Sequence, residues 1–245
     1  MSLQINSLVG FGVGKRTRSI ATTPTIILLT GGSSFLVPEN WNFETLGPLG
    51  FANKVECLGG GGVGMYDMYT GGGGGAYARV ENLTLTPLAS ASYAIAGVGT
   101  IYYQRNSTRF NGASYAASSV AAEGAQGSSI GTAASSIGTV RYSGGAASSG
   151  GGGCARPTGN GPNASGSTGG PSSAVLWVDN SGGSNNGLQA RCGGGGARST
   201  SWNTRMHGAN FGGGGGGGAP DDGTHYSREG YGAQGLIAIT YYPYI

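Results

Sequence analysis

Charge is what this sequence lacks most. Asp, Glu, Lys and Arg make up 9% of its 245 residues, against about 25% in an ordinary soluble domain. The net charge of +3 is carried almost wholly by arginine, because Lys15 and Lys54 are the only lysines. That excludes the basic stripe of a nucleic-acid binder, so no nucleic-acid partner is expected. The densest basic segment, Lys15-Arg16-Thr17-Arg18, reads as solvated or as touching another subunit. Long apolar runs are missing too. The densest is Thr25-Ile26-Ile27-Leu28-Leu29, far short of the roughly 20 residues that span a bilayer, and no membrane insertion is expected. Residues 1–13 carry no basic residue ahead of an apolar stretch, so no secretory signal is read. Strong helix formers are scarce, and each glycine costs a helix about 1 kcal/mol relative to alanine.

What is present is glycine. The chain has 54 of them, about three times the usual share of roughly 7%. They cluster in runs: Gly59, Gly60, Gly61 and Gly62; Gly71, Gly72, Gly73, Gly74 and Gly75; Gly150 to Gly153; Gly193, Gly194, Gly195 and Gly196; and Gly212, Gly213, Gly214, Gly215, Gly216, Gly217 and Gly218. Polyglycine II geometry has three residues per turn and no internal hydrogen bonds. Each such run must therefore find N–H and C=O partners on its neighbours. Only glycine lets backbones approach that closely, and several runs side by side could share the ordering cost. No period repeats, and the absence of a G-X-Y triplet excludes collagen.

Strands are expected at Ser34–Pro38, Asn53–Leu58, Ala76–Thr86, Ser92–Gly97, Thr139–Tyr142, Ala174–Val178 and Leu236–Tyr242. They are short, separated and rich in β-branched or aromatic residues. In Asn53–Leu58, polar Lys54 and Glu56 alternate with Val55 and Cys57, the pattern of a half-buried strand. The expected fold class is all-β: a small β-sandwich fused to a bundle of polyglycine II helices, with almost no α-helix.

Motifs for chemistry are thin. Gly59, Gly61 and Gly64 satisfy G-x-G-x-x-G after a strand, but the following Met65–Thr70 runs into five glycines and leaves no room for the helix that holds a pyrophosphate. Gly14-Lys15 is followed by Arg16, so the P-loop fails. His207 and His225 have no cysteine at metal spacing, and Pro220-Asp221-Asp222-Gly223 reads as a polar turn. No catalytic residue, metal or cofactor is assigned, and the chain is read as a non-enzyme. Cys57 reads as a small core residue. Cys154 follows one glycine run and Cys192 precedes another; they read either as two buried free thiols or as a bridge once oxidised.

The loops between runs hold the chemistry that remains. Tyr66 and Tyr69 lie in one, Trp202, Arg205 and His207 in a second, Tyr226 and Tyr231 in a third. Tyr, Trp and Arg are enriched at binding hot spots, and Ser, Gly and Asn supply adaptable hydrogen bonds. These seven are the candidate partner-binding residues. The other reading is that their rings fold back as cover for the glycine runs.

Phe35-Leu36-Val37-Pro38, Val55-Glu56-Cys57 leading into Gly59–Gly62, Gly71 to Tyr77, Leu85-Thr86-Pro87 and the closing Gly235 to Tyr241 together resemble the glycine-rich domain of bacteriophage tail-fibre and adhesin proteins, similar to a domain of anaplastic lymphoma kinase. The resemblance covers residues 33–245. It implies a virion-surface protein, assembled in the host cytoplasm and released by lysis. Its loops would bind a bacterial surface receptor, either a glycan or an outer-membrane protein. A capsid decoration or other structural virion protein is the alternative. Residues 1–32 fall outside the pattern and are expected to attach the chain to other virion proteins, through Leu8, Val9, Phe11, Ile26, Ile27 and Leu28. A homo-oligomer is compatible with this arrangement.

Overall fold

The computed structural model describes residues 18–65, 70–101, 105–182, 185–198, 205–217 and 230–245. Among these residues there are eleven strands: β1 (Thr25–Leu29), β2 (Ser34–Leu36), β3 (Asn53–Leu58), β4 (Tyr77–Glu81), β5 (Ser90–Ala94), β6 (Thr108–Phe110), β7 (Val120–Ala122), β8 (Val140–Tyr142), β9 (Trp177–Val178), β10 (Gln189–Ala190) and β11 (Leu236–Tyr241). They form three open sheets of order β1-β11-β3-β4-β8, β2-β5-β6-β7 and β10-β9. Every pairing is antiparallel.

The centre is β3 and β11, paired from Leu58↔Leu236 to Asn53↔Tyr241. Alternation sends Val55, Cys57, Ile237, Ile239 and Tyr241 to one face. There they meet Phe35, Trp41, Tyr93, Phe110 and Val120 of the four-stranded side. Phe35 and Phe110 pack with ring centres 5.8 Å apart, and Trp41 lies 5.1 Å from Tyr241. Leu58, Leu236 and Ala238 point the other way and join a second cluster with Leu28, Tyr77, Cys154, Trp177, Cys192 and Phe211. The half-buried strand expected at Asn53–Leu58 is therefore buried on both faces, Glu56 included. Glu56 is accommodated by pairing: Tyr77 donates to it at 2.5 Å, Trp177 Nε1 at 2.9 Å, and Lys54 lies 3.1 Å away. Burial, and then the Glu56 carboxylate beside it, push the Tyr77 hydroxyl above its ordinary range.

Ile26, Ile27 and Leu28, read as attachment residues, lie in β1 and pair with β11. The outer edge of β1 is covered as well. Leu28 N–H donates to Asp179 at 2.7 Å, Ile26 N–H to Asn180 at 2.5 Å, and Asn180 N–H returns to the Ile26 carbonyl at 3.0 Å. Leu8, Val9 and Phe11 lie outside the described residues.

One expectation is overturned. No helix of any kind occurs among the described residues, so a β-sandwich fused to a bundle of polyglycine II helices is not this fold. The described residues of the glycine runs carry no regular secondary structure. The physical reason lies in their hydrogen bonds. A self-contained bundle would satisfy its polar groups from run to run, whereas these runs are tied equally to strand ends, turns and the Ala/Ser-rich middle of the chain. Gly60 N–H donates to Asn106, Gly61 to Ala233, Gly73 to Gly127 and Gly74 to Gly145, at 2.8–3.0 Å. Contacts between runs complete the web: Gly72 to Gly215, Gly215 to Gly62, Gly214 to Gly152 and Gly152 to Gly72, at 2.7–2.9 Å. The result is a block of backbone packed on backbone. A Cβ built on Gly61 would fall closer than 3.0 Å to the carbonyl of Gly213, and one on Gly214 equally close to that of Gly72.

Candidate binding site

The strand registers give the molecule two ends. β3 enters the glycine block beyond Leu58, β4 leaves it before Tyr77 and β11 leaves it before Leu236; these three residues are neighbours in the sheet. The opposite strand ends, Asn53, Glu81 and Tyr241, lie towards the C-terminus, where Ile245 N–H donates to the Ser19 carbonyl at 2.9 Å. Thr25 pairs with Tyr241, so the chain entering β1 is at this end too.

At the far side of the glycine block, loop stems meet. Met65 N–H closes on the Thr70 carbonyl at 2.6 Å, Gly64 N–H on Gly230 at 3.0 Å, Gly230 N–H on Gly216 at 3.0 Å, and Gly216 N–H on Met206 at 2.8 Å. Tyr66, Tyr69, Trp202, Tyr226 and Gly218 lie outside the described residues. The stems of the three loops that hold the four aromatics are hydrogen-bonded neighbours.

Arg205, His207 and Tyr231 are brought together. The Arg205 guanidinium sits 4.5 Å from the centre of the Tyr231 ring, a distance at which the cation is attracted to the π face. The His207 ring lies 5.1 Å from the same ring, inclined at 40°. The two segments are stitched by the backbone: Tyr231 N–H donates to His207 Nδ1 at 3.0 Å, and Gly208 N–H to the Tyr231 carbonyl at 2.9 Å. With Nδ1 accepting, a neutral His207 carries its proton on Nε2 and can donate outward. His207 is exposed, and Arg205 and Tyr231 are half-exposed.

Beside them is a shallow cavity of about 260 Å³, lined by Val98, His207, Gly208, Asn210, Tyr231 and Ala233 among others. Val98 and Met206 are 47% and 37% exposed. The surface thus combines an aromatic ring, exposed aliphatic carbon and the polar side chains of His207, Asn210 and Arg205, each exposed or half-exposed. Such a surface can stack on an apolar ring face while hydrogen-bonding hydroxyl or carboxylate oxygens. Reasoning from sequence missed Val98 and Asn210. Asn210 lies in the same loop as Trp202, Arg205 and His207 but is neither aromatic nor charged, and Val98 joins the site through the bridge between Gly99 and Gly232.

The two most buried glutamates are fully engaged elsewhere. Glu56 is held as described, and Glu123 pairs with Arg105 and accepts from Thr132 N–H and Oγ1 at 2.8 and 2.7 Å. Among the described residues no group of three or more His, Cys, Asp or Glu could hold a metal ion.

No family model matches the chain, and no curated protein matches it. With no helix among the described residues and no family match, the resemblance to the glycine-rich domain of phage tail-fibre proteins does not hold.

Proposed function

We propose that the protein is a non-enzymatic attachment module of a particle surface: one end seats it, and the loops beyond the glycine block bind a partner. The observation that carries this reading is the Arg205–Tyr231–His207 cluster, exposed beside the shared stems of three aromatic loops. A backbone-packed block suits the task. It holds loop stems in place with almost no side-chain freedom, so less ordering entropy is lost when the loops engage a partner. The virion exterior is the proposed setting, and a bacterial surface glycan or outer-membrane protein the proposed partner. Residues 1–32, with the strand ends near Tyr241, form the proposed seat.

The test is adhesion. Tyr231→Ala and Arg205→Ala should reduce binding of the purified protein to bacterial cells by at least 10-fold, the size of a single hot-spot loss of about 1.4 kcal/mol. Thermal stability should stay near that of the parent. Unchanged adhesion of the two variants, with incorporation into particles retained, would replace the reading by a purely structural surface protein.

A further inference from the structure

The chain has three cysteines, all buried and all reduced in this structure, and their distribution is uneven. Cys57 belongs to the core between the two larger sheets, with its thiol near the Val120 carbonyl. Cys154 and Cys192 share the other cluster, 0% and 1% exposed, among Trp177, Phe211 and Leu236.

The backbone around that pair is fixed from several sides. Cys154 N–H donates to the Gly193 carbonyl at 2.9 Å, and three residues along, Gly151 N–H donates to Gly196 at 2.8 Å. The two glycine runs therefore lie antiparallel, with Cys154 facing the Cys192–Gly193 step. Cys192 is clamped in turn: its N–H donates to Ser173 Oγ at 2.9 Å, and its carbonyl accepts from Ser173 N–H at 2.9 Å. Gly193 N–H is bonded to the Phe211 carbonyl at 2.6 Å. The two side chains approach within one buried cluster, where the Cys154 thiol donates to the Ala155 carbonyl at 3.0 Å. Neighbouring glycines make that approach possible, since a Cβ on Gly195 would collide with the Gly151 carbonyl and one on Gly212 with the Cys154 sulfur.

We propose that Cys154 and Cys192 are the two halves of a disulfide that locks adjacent glycine runs together once the protein meets an oxidising exterior. The reaction is exchange with a small-molecule disulfide. The thiolate of one cysteine attacks it, expelling one thiol and leaving a mixed disulfide; the second cysteine, losing its proton, displaces the other thiol. Two protein thiols are oxidised, one S–S bond forms, and one small disulfide is reduced to two thiols. Burial, then the neighbouring Cys192 thiol, raises the Cys154 thiol well above its ordinary range, so the thiolate is scarce and the reaction slow. The same burial shields the finished bond from reductants. The bridge would close a loop from residue 154 to residue 192, which includes β9, β10 and the turns at 156–159 and 165–168. Constraining a loop of that length in the unfolded chain is where the stabilisation arises.

The experiment uses the full chain, incubated with oxidised glutathione at pH 8.5 in sub-denaturing urea, then denatured, alkylated and weighed. The expected product has one alkylated cysteine instead of three and lacks ~2 Da from the bridged pair. Proteolysis should yield a peptide that joins residues 154 and 192. Its melting temperature should exceed that of the reduced protein by roughly 5–15 °C. Cys57→Ser should leave the bridge intact, whereas Cys192→Ser should abolish it and leave Cys154 alkylated or glutathionylated. Three alkylated cysteines after prolonged oxidation, a bridge involving Cys57, or a bridged product that melts no higher would overturn the proposal.

Discussion

The two halves of this molecule are solid for opposite reasons. Between the larger sheets, order comes from side chains: Phe35, Trp41, Phe110, Ile237 and Ile239 fill the space, and the backbones stay a strand-spacing apart. In the glycine block, order comes from the absence of side chains. Gly62, Gly72, Gly152, Gly214 and Gly215 bring carbonyls and amides of distant segments into direct contact. The first half draws on the hydrophobic effect, which tolerates a change of shape at the cost of a cavity. The second draws on hydrogen bonds whose donors and acceptors are shut away from water, and a single methyl group is an intruder there.

Each half should therefore fail to the mutation that suits the other. Truncation should hurt most in the strand core: Phe110→Ala is expected to cost about 3–5 kcal/mol in chemical denaturation. Next comes the smallest possible enlargement in the glycine block. Gly214→Ala should cost about 2–4 kcal/mol, from overpacking against the Gly72 carbonyl and strain on the bond to Gly152. A neutral or stabilised Gly214→Ala would reduce the block to a loose loop and erase the comparison.

Alkaline pH probes both halves at once, because each holds a buried thiol. Burial pushes the Cys57 and Cys154 thiols up. In the unfolded chain they ionise above about pH 8.5, while the folded protein keeps them protonated. Stability should thus be complete below that pH and fall as pH rises beyond it, by up to about 1.4 kcal/mol per pH unit for each thiol. Melting curves of reduced protein from pH 7.5 to 9.5, below the range where unfolded tyrosines ionise, should show the slope, and Cys57→Ala or Cys154→Ala should each remove about half of it. The smallest effect belongs to a glycine with open space around it. Gly159→Ala meets nothing within 4 Å and should stabilise by about 0.4–1 kcal/mol through the unfolded state.

The same division explains what could be read from the sequence. Seven strand segments announced themselves through β-branched and aromatic residues, and β3 and β11 appear where Asn53–Leu58 and Leu236–Tyr242 suggested. Boundaries failed where local backbone intervened. The strand expected to run to Thr86 stops at Glu81, because Asn82 turns left-handed at φ 55° and its side chain accepts the Ala52 N–H. β6 and β7 were missed because Thr108–Phe110 and Val120–Ala122 are three residues each, too short to display a period. β1 was not expected as a strand, and nothing local reveals that its edge will be covered by Asp179 and Asn180, some 150 residues away. The glycine block was legible as glycine in need of partners, but not as a web without helices. Which carbonyl meets which amide is decided by long-range crossings that composition does not encode. Of the candidate site, Arg205, His207 and Tyr231 were recognisable by residue type, Asn210 lay unremarked in the same loop as His207, and Val98 joins them only through the fold.

The glycine block is a packed interior held by its own backbone, and native-state hydrogen exchange measures that amide by amide. If the account is right, the N–H groups of Gly62, Gly72, Gly214 and Gly215 exchange only through global unfolding, as slowly as those of Val55 and Ile239 in the central strands. Exchange of these four glycines at the rate of an open loop, while Val55 and Ile239 stay protected, would contradict it.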